Sequence, residues 1–118
     1  LRNARGMDIM ATTSDGKRSL SIQVKTNSGG KPTWLLSSKS ETFQSKSHFY
    51  VFVVLKELNT RPDFYIVPSS VVAETIRREH REWLSLPKSD GTERKDSSMR
   101  QFRDIKQKYL EQWQLLDL

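Results

Sequence analysis

Three residues near the start of the sequence have the types and spacing suited to chemistry on a phosphate ester. Fourteen residues separate Asp8 from Gln23, and Lys25 follows Gln23 by two positions. Carboxylate and amide oxygens suit Mg²⁺, which typically takes one or two protein carboxylates and completes its shell with water and phosphate oxygens. A lysine beside such a cation can orient a water molecule or stabilise charge that develops on a phosphate. The three residues therefore indicate metal-assisted phosphate chemistry, provided that the fold brings them together.

The element that must position them is a β-hairpin. Runs of alternating apolar and polar residues flank Asp15-Gly16, and an Asp-Gly pair in this setting is a strong hairpin signal because Gly accepts the positive φ of a tight primed turn. With this pair at the centre of the turn, cross-strand partners have residue numbers that sum to 31, so Asp8 faces Gln23. We expect these two residues and Lys25 to lie on one face, in a surface cleft away from the core. The opposite, buried face then carries the apolar residues Ile9, Ala11, Leu20, Ile22 and Val24.

Each of the three residues also has an ordinary structural interpretation. Asp8 is suited to the start of a strand, Gln23 to a surface amide and Lys25 to a solvated charge. A bulge or a slip of one residue in the register would separate the residues altogether. The coincidence of spacing, facing and hairpin context favours a site.

The same residues resemble a known family. Gly6-Met-Asp8, the short hairpin and then Ile22-Gln23-Val24-Lys25 are similar to the PD-(D/E)xK nuclease superfamily, and the Q-x-K variant is similar to Mrr-type restriction endonucleases. The resemblance implies that Asp8, Gln23 and the carbonyl of Val24 bind Mg²⁺ or Mn²⁺, and that Lys25 positions the attacking water. It implies an endonuclease that hydrolyses DNA phosphodiester bonds in restriction, repair or mobile-element processing.

Two departures from the family pattern leave a second hypothesis open. Gln23 replaces the commoner acidic residue, and many members add an acidic residue from a helix upstream of the Asp strand, for which this sequence has no counterpart. The alternative is a catalytically inactive restriction-endonuclease-like domain that binds nucleic acid or a protein partner. A third hypothesis is a purely structural α/β domain of a larger chain.

Length and composition restrict the class of protein. We expect residues 1–118 to form one domain, N-terminally incomplete because the sequence lacks an initiator Met and the family's first helix. The absence of cysteine excludes disulfides and thiolate metal sites. No apolar run approaches the roughly 20 residues of a membrane span. These features favour a cytoplasmic protein without a membrane segment; a homodimer remains open.

The positive charge is concentrated in the half that contains the hairpin. Residues 1–56 hold nine Lys and Arg against three Asp and Glu, whereas residues 57–118 hold eleven of each. A basic half around a metal site suits a polyanion such as DNA, with RNA not excluded. The candidate phosphate contacts in this half are Arg2, Arg5, Lys31, Lys39 and Lys46.

The order of elements in the rest of the sequence predicts an α/β sandwich around a mixed β-sheet. This order is compatible with the fold that the resemblance implies, a restriction-endonuclease-like mixed β-sheet flanked by helices. Residues 49–55 are continuously apolar and predict a central strand buried on both faces. The other predicted elements are a brief strand at 34–36, a weak helix over 38–47, a strand at 64–67, a helix from Ser69 or Ser70 to Leu84, a loop over 85–98 and a final helix from Met99 or Arg100 to Gln114. Trp34 and His80 are expected to be packed residues.

Overall fold

The computed structural model describes residues 7–117, and only the backbone of Met7 and Asp8. The fold is a small mixed α/β arrangement of a four-stranded sheet, a two-stranded sheet and, among the described residues, one α-helix. No helix in this part of the chain is long and apolar enough to cross a membrane. In chain order the elements are β1 (Met7–Thr12), β2 (Ser19–Asn27), β3 (Thr33–Ser37), a first 3₁₀ turn (Ser38–Glu41), β4 (His48–Val54), β5 (Asp63–Pro68), α1 (Ser69–Ser85), β6 (Met99–Arg103) and a second 3₁₀ turn (Trp113–Leu116).

The predicted hairpin register is confirmed, although the turn that closes it is longer than expected. Strands β1 and β2 are antiparallel, and every pair from Met7 with Val24 to Thr12 with Ser19 has residue numbers that sum to 31. The Thr13 amide donates to the Arg18 carbonyl at 2.9 Å, which closes a four-residue loop. Of the two central residues only Gly16 has a positive φ, of 73°, so the primed two-residue turn was wrong. The longer loop has the same centre as the shorter one, and the register is therefore unchanged.

The main sheet has the order β1-β2-β4-β5, with β4 parallel to β2 and antiparallel to β5. All seven residues of β4 are buried, which confirms the central strand predicted for residues 49–55. One face of the sheet carries the larger core, which consists of Trp34, Leu36, Tyr50, Phe52, Val54, Tyr65, Val67, Val72, Ile76 and Phe102. The other face carries the smaller core, which consists of Leu20, Ile22, Phe49, Val51, Val53 and Ile66.

The predicted final helix is wrong, because its first part is a strand. Strand β6 pairs antiparallel with β3 and forms the second sheet, in which Trp34 lies opposite Phe102. Burial along β6 alternates, with Arg100 and Phe102 inside and their neighbours exposed. After β6 the Asp104 carboxylate accepts bonds from the Lys108 and Tyr109 amides, and it holds a series of turns where the helix was expected.

Helix α1 begins where the sequence predicted but without the serine cap. Pro68 occupies the N-cap position and no side chain caps the helix. The Ser69 hydroxyl instead donates to the Ser45 carbonyl and accepts from the Ser45 amide, both at 2.9 Å. The weak helix predicted over 38–47 is reduced to the first 3₁₀ turn. Ser69 thus anchors the loop before β4 to the start of α1.

The end of the described chain is fixed to the outer edge of β5. The Ile66 amide donates to the Tyr109 carbonyl, and the Glu111 amide donates to the Phe64 carbonyl. The Arg61 guanidinium donates to the Glu111 carboxylate at 2.6 Å. This hydrogen bond, followed by one from the Trp113 indole, lowers the pKa of Glu111 below its ordinary value.

Replacing Arg61 by Ala should raise the Glu111 pKa toward its ordinary value. A carboxylate whose pKa is depressed by folding stabilises the protein above its unfolded pKa, and this stabilisation is lost as pH falls through the folded pKa. Part of the acid-dependent stability should therefore disappear in Arg61→Ala. Carboxyl chemical shifts followed by NMR during a pH titration measure the change. Asp15, whose pKa is lowered by hydrogen bonds from the Thr13 hydroxyl and the Lys17 amide in the turn between β1 and β2, is the internal control; an unchanged Glu111 titration would contradict the prediction.

Candidate functional site

The backbone brings the three predicted site residues to one place. Asp8 and Gln23 are direct partners in the β1–β2 register, and Lys25 lies two residues further along β2. Directly opposed residues in an antiparallel pair share a face of the sheet, and residues two apart on a strand do so as well. Gln23 and Lys25 are half-buried. The predicted pairing of Asp8 with Gln23, and the face they share with Lys25, are thus confirmed at the level of the backbone.

The surroundings of this face differ from the prediction in one important respect. Gln23 lies beside Tyr50 and Lys25 beside Phe52 in the parallel β2–β4 register, and both aromatic residues belong to the larger core. The site face was expected to point away from the core, and this expectation is wrong. The cause is β4, whose apolar side chains bury both faces of the sheet. The polar residues consequently lie at the margin of the larger core.

The opposite face carries most of the predicted apolar residues. Leu20 and Ile22 are buried in the smaller core, and Val24 packs against it while remaining half-buried. Ile9 is 44% exposed, so its predicted burial is wrong. Strand β1 lies at the edge of the sheet and has no strand on its outer side among the described residues, which leaves Ile9 accessible.

A histidine that sequence analysis missed lies on the site face. His48, the first residue of β4, is 4% exposed and lies opposite Ser21 in the register. Its Nδ1 is 2.6 Å from the Ser21 hydroxyl. Burial raises the pKa of Tyr50, two residues further along β4. Period-two alternation from Tyr50 and Phe52 was the signal that could have placed His48 on this face.

The predicted basic contacts lie on both sides of the site. Gln23 is near the middle of β2, so the two ends of the strand are each roughly 13 Å away. Lys31 is exposed in the loop that follows β2, and Lys46 is exposed in the loop before β4, where the Ser47 carbonyl accepts from the Ser21 amide at 2.8 Å. Lys39 is exposed on the first 3₁₀ turn, next to Ser40. Arg2 and Arg5 lie outside the described residues.

The chemistry of the donor set determines which metal the site can hold. Among the side chains that the structure describes, no group of three or more His, Cys, Asp or Glu residues is placed to bind a metal ion. The donor set predicted from the sequence is mixed, with a carboxylate from Asp8, an amide oxygen from Gln23 and a backbone carbonyl from Val24. These are all hard oxygen donors, which fit Mg²⁺ or Mn²⁺ better than a softer metal.

Tryptophan and histidine often occur in functional sites, but Trp34 and His80 are packed residues here, as the sequence predicted. Trp34 is buried at the centre of the larger core, and its indole donates to the Val53 carbonyl at 2.9 Å. His80 is largely buried, stacks on Trp83 and lies 2.7 Å from the Asp96 carboxylate. His80 and Trp83 line a groove of about 400 Å³ between α1 and β6, to which none of the proposed metal or catalytic residues contributes.

Comparison of the chain with protein-family models, with curated proteins and with solved structures finds no match. The function must therefore be argued from the residues and their geometry.

Proposed function

We propose that this protein is a metal-dependent nuclease that hydrolyses DNA phosphodiester bonds. The observation that carries the proposal is the β1–β2 register, which pairs Asp8 directly with Gln23 and places Lys25 on the same face. A register shifted by one residue would have put Asp8 and Gln23 on opposite faces. The three residues therefore occupy neighbouring backbone positions on one face of the sheet, which supports the proposal.

The roles of the residues follow from their chemistry. Asp8, Gln23 and the Val24 carbonyl would hold Mg²⁺ or Mn²⁺, which polarises a phosphodiester and lowers the pKa of a bound water. The Lys25 ammonium orients water and offsets negative charge on the phosphate. Because Lys25 is half-buried beside the aromatic residues of the larger core, its charge is less screened than that of a fully exposed lysine. The partial burial therefore supports a role in turnover.

We further propose that the fold is the restriction-endonuclease-like one. Its support is the mixed sheet in which the hairpin strand β2 runs parallel to a fully buried central strand, with β5 and α1 following. Strand β6, which was not expected, pairs with β3 in a second sheet that contributes Trp34, Leu36 and Phe102 to the larger core. Gln23 and Lys25 on β2 remain half-buried. Restriction, repair or mobile-element processing are the settings that suit such an activity.

Cleavage of supercoiled plasmid with Mg²⁺ or Mn²⁺ is the direct test, performed on the wild type beside Lys25→Met. Methionine keeps an unbranched, apolar stem of similar length and removes the charge, so packing against the core is largely preserved. Metal-dependent nicking by the wild type that Lys25→Met lacks supports the proposal. If the wild type binds DNA without cleaving it with either metal, the inactive binding domain replaces the nuclease.

Charge reversal at Lys31, Lys39 or Lys46, the exposed lysines on the two sides of the site, should weaken DNA binding and reduce its salt dependence. Removing one lysine–phosphate interaction should reduce the slope of log binding constant against log salt by about 0.9. Lys46→Glu, Lys39→Glu and Lys31→Glu are compared with Arg78→Glu, which changes an exposed charge on α1. Fluorescence anisotropy of a labelled duplex at several salt concentrations, in EDTA, gives the slopes. Equal slopes for the lysine variants and Arg78→Glu would contradict this placement of the DNA.

A further inference from the structure

We infer that Phe43 is a nucleobase-contacting residue, and that the protein prefers DNA in which a base beside the site is unpaired. The inference rests on the proposed function, since it names the form of DNA that the same face receives. Its basis is a half-exposed aromatic ring that packs against a row of buried aromatic rings. This ring lies at the edge of the site face, which is the face of β2 that carries Gln23 and Lys25. The Phe43 side chain is 51% exposed, and it lies in the polar segment between the first 3₁₀ turn and β4.

The ring of Phe43 packs against a buried ring of the central strand. Its centroid is 4.5 Å from that of His48, which is itself buried and hydrogen-bonded to Ser21. His48 in turn meets Tyr50 at 5.3 Å, and Tyr50 stacks on Phe52 at 5.3 Å with an interplanar angle of 2°. These residues occupy alternate positions of the central strand, so they are as rigid as the sheet. Phe43 is thereby held with one side against His48 and the remainder open to solvent.

The position of Phe43 connects it to the site. His48 is the register partner of Ser21, and Ser21 lies two residues from Gln23 on the same face of β2. A step of two residues along a strand spans about 7 Å. The Phe43 ring therefore stands next to the face on which Asp8, Gln23 and Lys25 are assembled, on the side of the β2 N-terminal end.

The charges around Phe43 suit a polyanion. The segment from 38 to 47 carries Lys39 and Lys46, both exposed, and one acidic residue, Glu41. The Glu41 carboxylate accepts a 2.6 Å hydrogen bond from Arg100 and lies in a partly buried ion pair, so its charge is compensated. An exposed aromatic ring between cationic side chains is the arrangement with which proteins bind single-stranded nucleic acid.

The chemistry of stacking determines which form of DNA the ring can take. In a regular duplex the faces of a base are covered by its neighbours, so a protein ring can stack on a base only after the base leaves the helical stack. The cost of removing the base is smallest where the base is already unpaired. Single strands, gaps and mismatches should therefore bind more tightly than a continuous duplex, and the difference should depend on Phe43.

The test measures binding in EDTA, so that it does not depend on cleavage. Anisotropy at one fixed salt concentration compares a labelled single strand, a duplex of the same sequence and a single strand of the same length in which every nucleotide is abasic. The variants are Phe43→Ala, Phe43→Trp and, as the matched control, Leu58→Ala. Leu58 is an apolar residue that is 90% exposed in the loop between β4 and β5.

Phe43→Ala should weaken binding to the normal single strand by roughly 5- to 150-fold, the usual loss when one base–aromatic stack is removed. It should change binding to the duplex and to the abasic strand little, since neither offers a free base. Phe43→Trp should retain the affinity for the normal strand, and Leu58→Ala should behave as the wild type. Because Phe43 is half-exposed, thermal unfolding of Phe43→Ala should stay close to that of the wild type.

The inference is overturned if Phe43→Ala binds the normal single strand as tightly as the wild type does. It is also overturned if the variant loses the same factor on all three DNAs, or if the wild type binds none of them. The plasmid assay tests the proposed function separately. Phe43-dependent binding of single strands without any plasmid cleavage would leave the inference standing and remove the nuclease. Plasmid cleavage by a protein whose single-strand binding does not depend on Phe43 would leave the nuclease standing and remove the inference.

Discussion

Asp8→Asn should abolish metal-dependent cleavage and leave the fold intact. Asp8 is the one carboxylate in the proposed donor set, so its replacement by an isosteric amide removes the formal negative charge that holds the divalent cation. The neutral Gln23 opposite it cannot compensate. We expect a fall in single-turnover cleavage on the order of a thousandfold, similar to the effect of removing other strong electrostatic interactions from active sites. Calorimetric titration with Mg²⁺ should show a parallel loss of metal affinity.

Two further variants distinguish metal binding from the positioning of the attacking water. Gln23→Glu restores a second carboxylate next to Asp8 in the register, so metal affinity should rise and cleavage should be maintained or increased. Lys25→Met should bind Mg²⁺ as the wild type does and lose cleavage by about 10²- to 10³-fold, because the charge is proposed to act on water and phosphate. If Asp8→Asn retains wild-type metal affinity and cleavage, the hairpin is not the metal site.

The choice of methionine follows from where the structure places Lys25. A lysine on a face remote from the core could be truncated to alanine at no cost, but Lys25 lies beside Phe52 of the larger core and is half-buried. Truncation would remove packing as well as charge. Melting temperatures of Asp8→Asn and Lys25→Met should therefore stay near that of the wild type, and Lys25→Ala should melt lower than Lys25→Met.

The hairpin could be predicted from sequence because its signals are local. The Asp15-Gly16 pair fixes the centre of the turn, and the pairing of Asp8 with Gln23 depends on that centre rather than on the length of the loop. Four residues around the same centre give the same partners as two. The location of the site face relative to the core could not be read in this way. It depends on Tyr50 and Phe52 of β4, which join the face only through long-range pairing with β2.

The error at the end of the chain has a similar origin. Phe102, Ile105, Tyr109 and Trp113 recur at intervals of three and four, which matches one face of a helix. Of these residues only Phe102 is buried in the larger core, Tyr109 packs against that core while partly buried, and Ile105 is exposed. The partner that makes residues 99–103 a strand is β3, far away in the sequence. Local periodicity was therefore overridden by tertiary pairing.

Trp34→Ala should be among the most destabilising substitutions in the described chain. Trp34 is 2% exposed and joins the two sheets, since it lies on β3 opposite Phe102 while its ring meets Phe52 of β4 at 4.8 Å and Tyr65 of β5 at 5.1 Å. Its indole also donates to the Val53 carbonyl. Removal of the ring leaves a cavity between the sheets and that carbonyl without its donor, so we expect a loss of about 3–5 kcal/mol in the free energy of unfolding.

Urea unfolding followed by far-ultraviolet circular dichroism measures this loss, and two variants serve as references. Trp34→Phe keeps most of the ring and loses the N–H donor, so it should cost about 1 kcal/mol for the hydrogen bond and a further contribution for the smaller ring. Trp113→Ala removes the same side chain from a site that is 41% exposed, where the indole donates to Glu111, and should cost about 1 kcal/mol. A Trp34→Ala protein as stable as Trp113→Ala would show that the second sheet is not held to the first through the Trp34 ring. A residue packed between two sheets leaves a cavity when it is removed, because neither sheet alone can close the space.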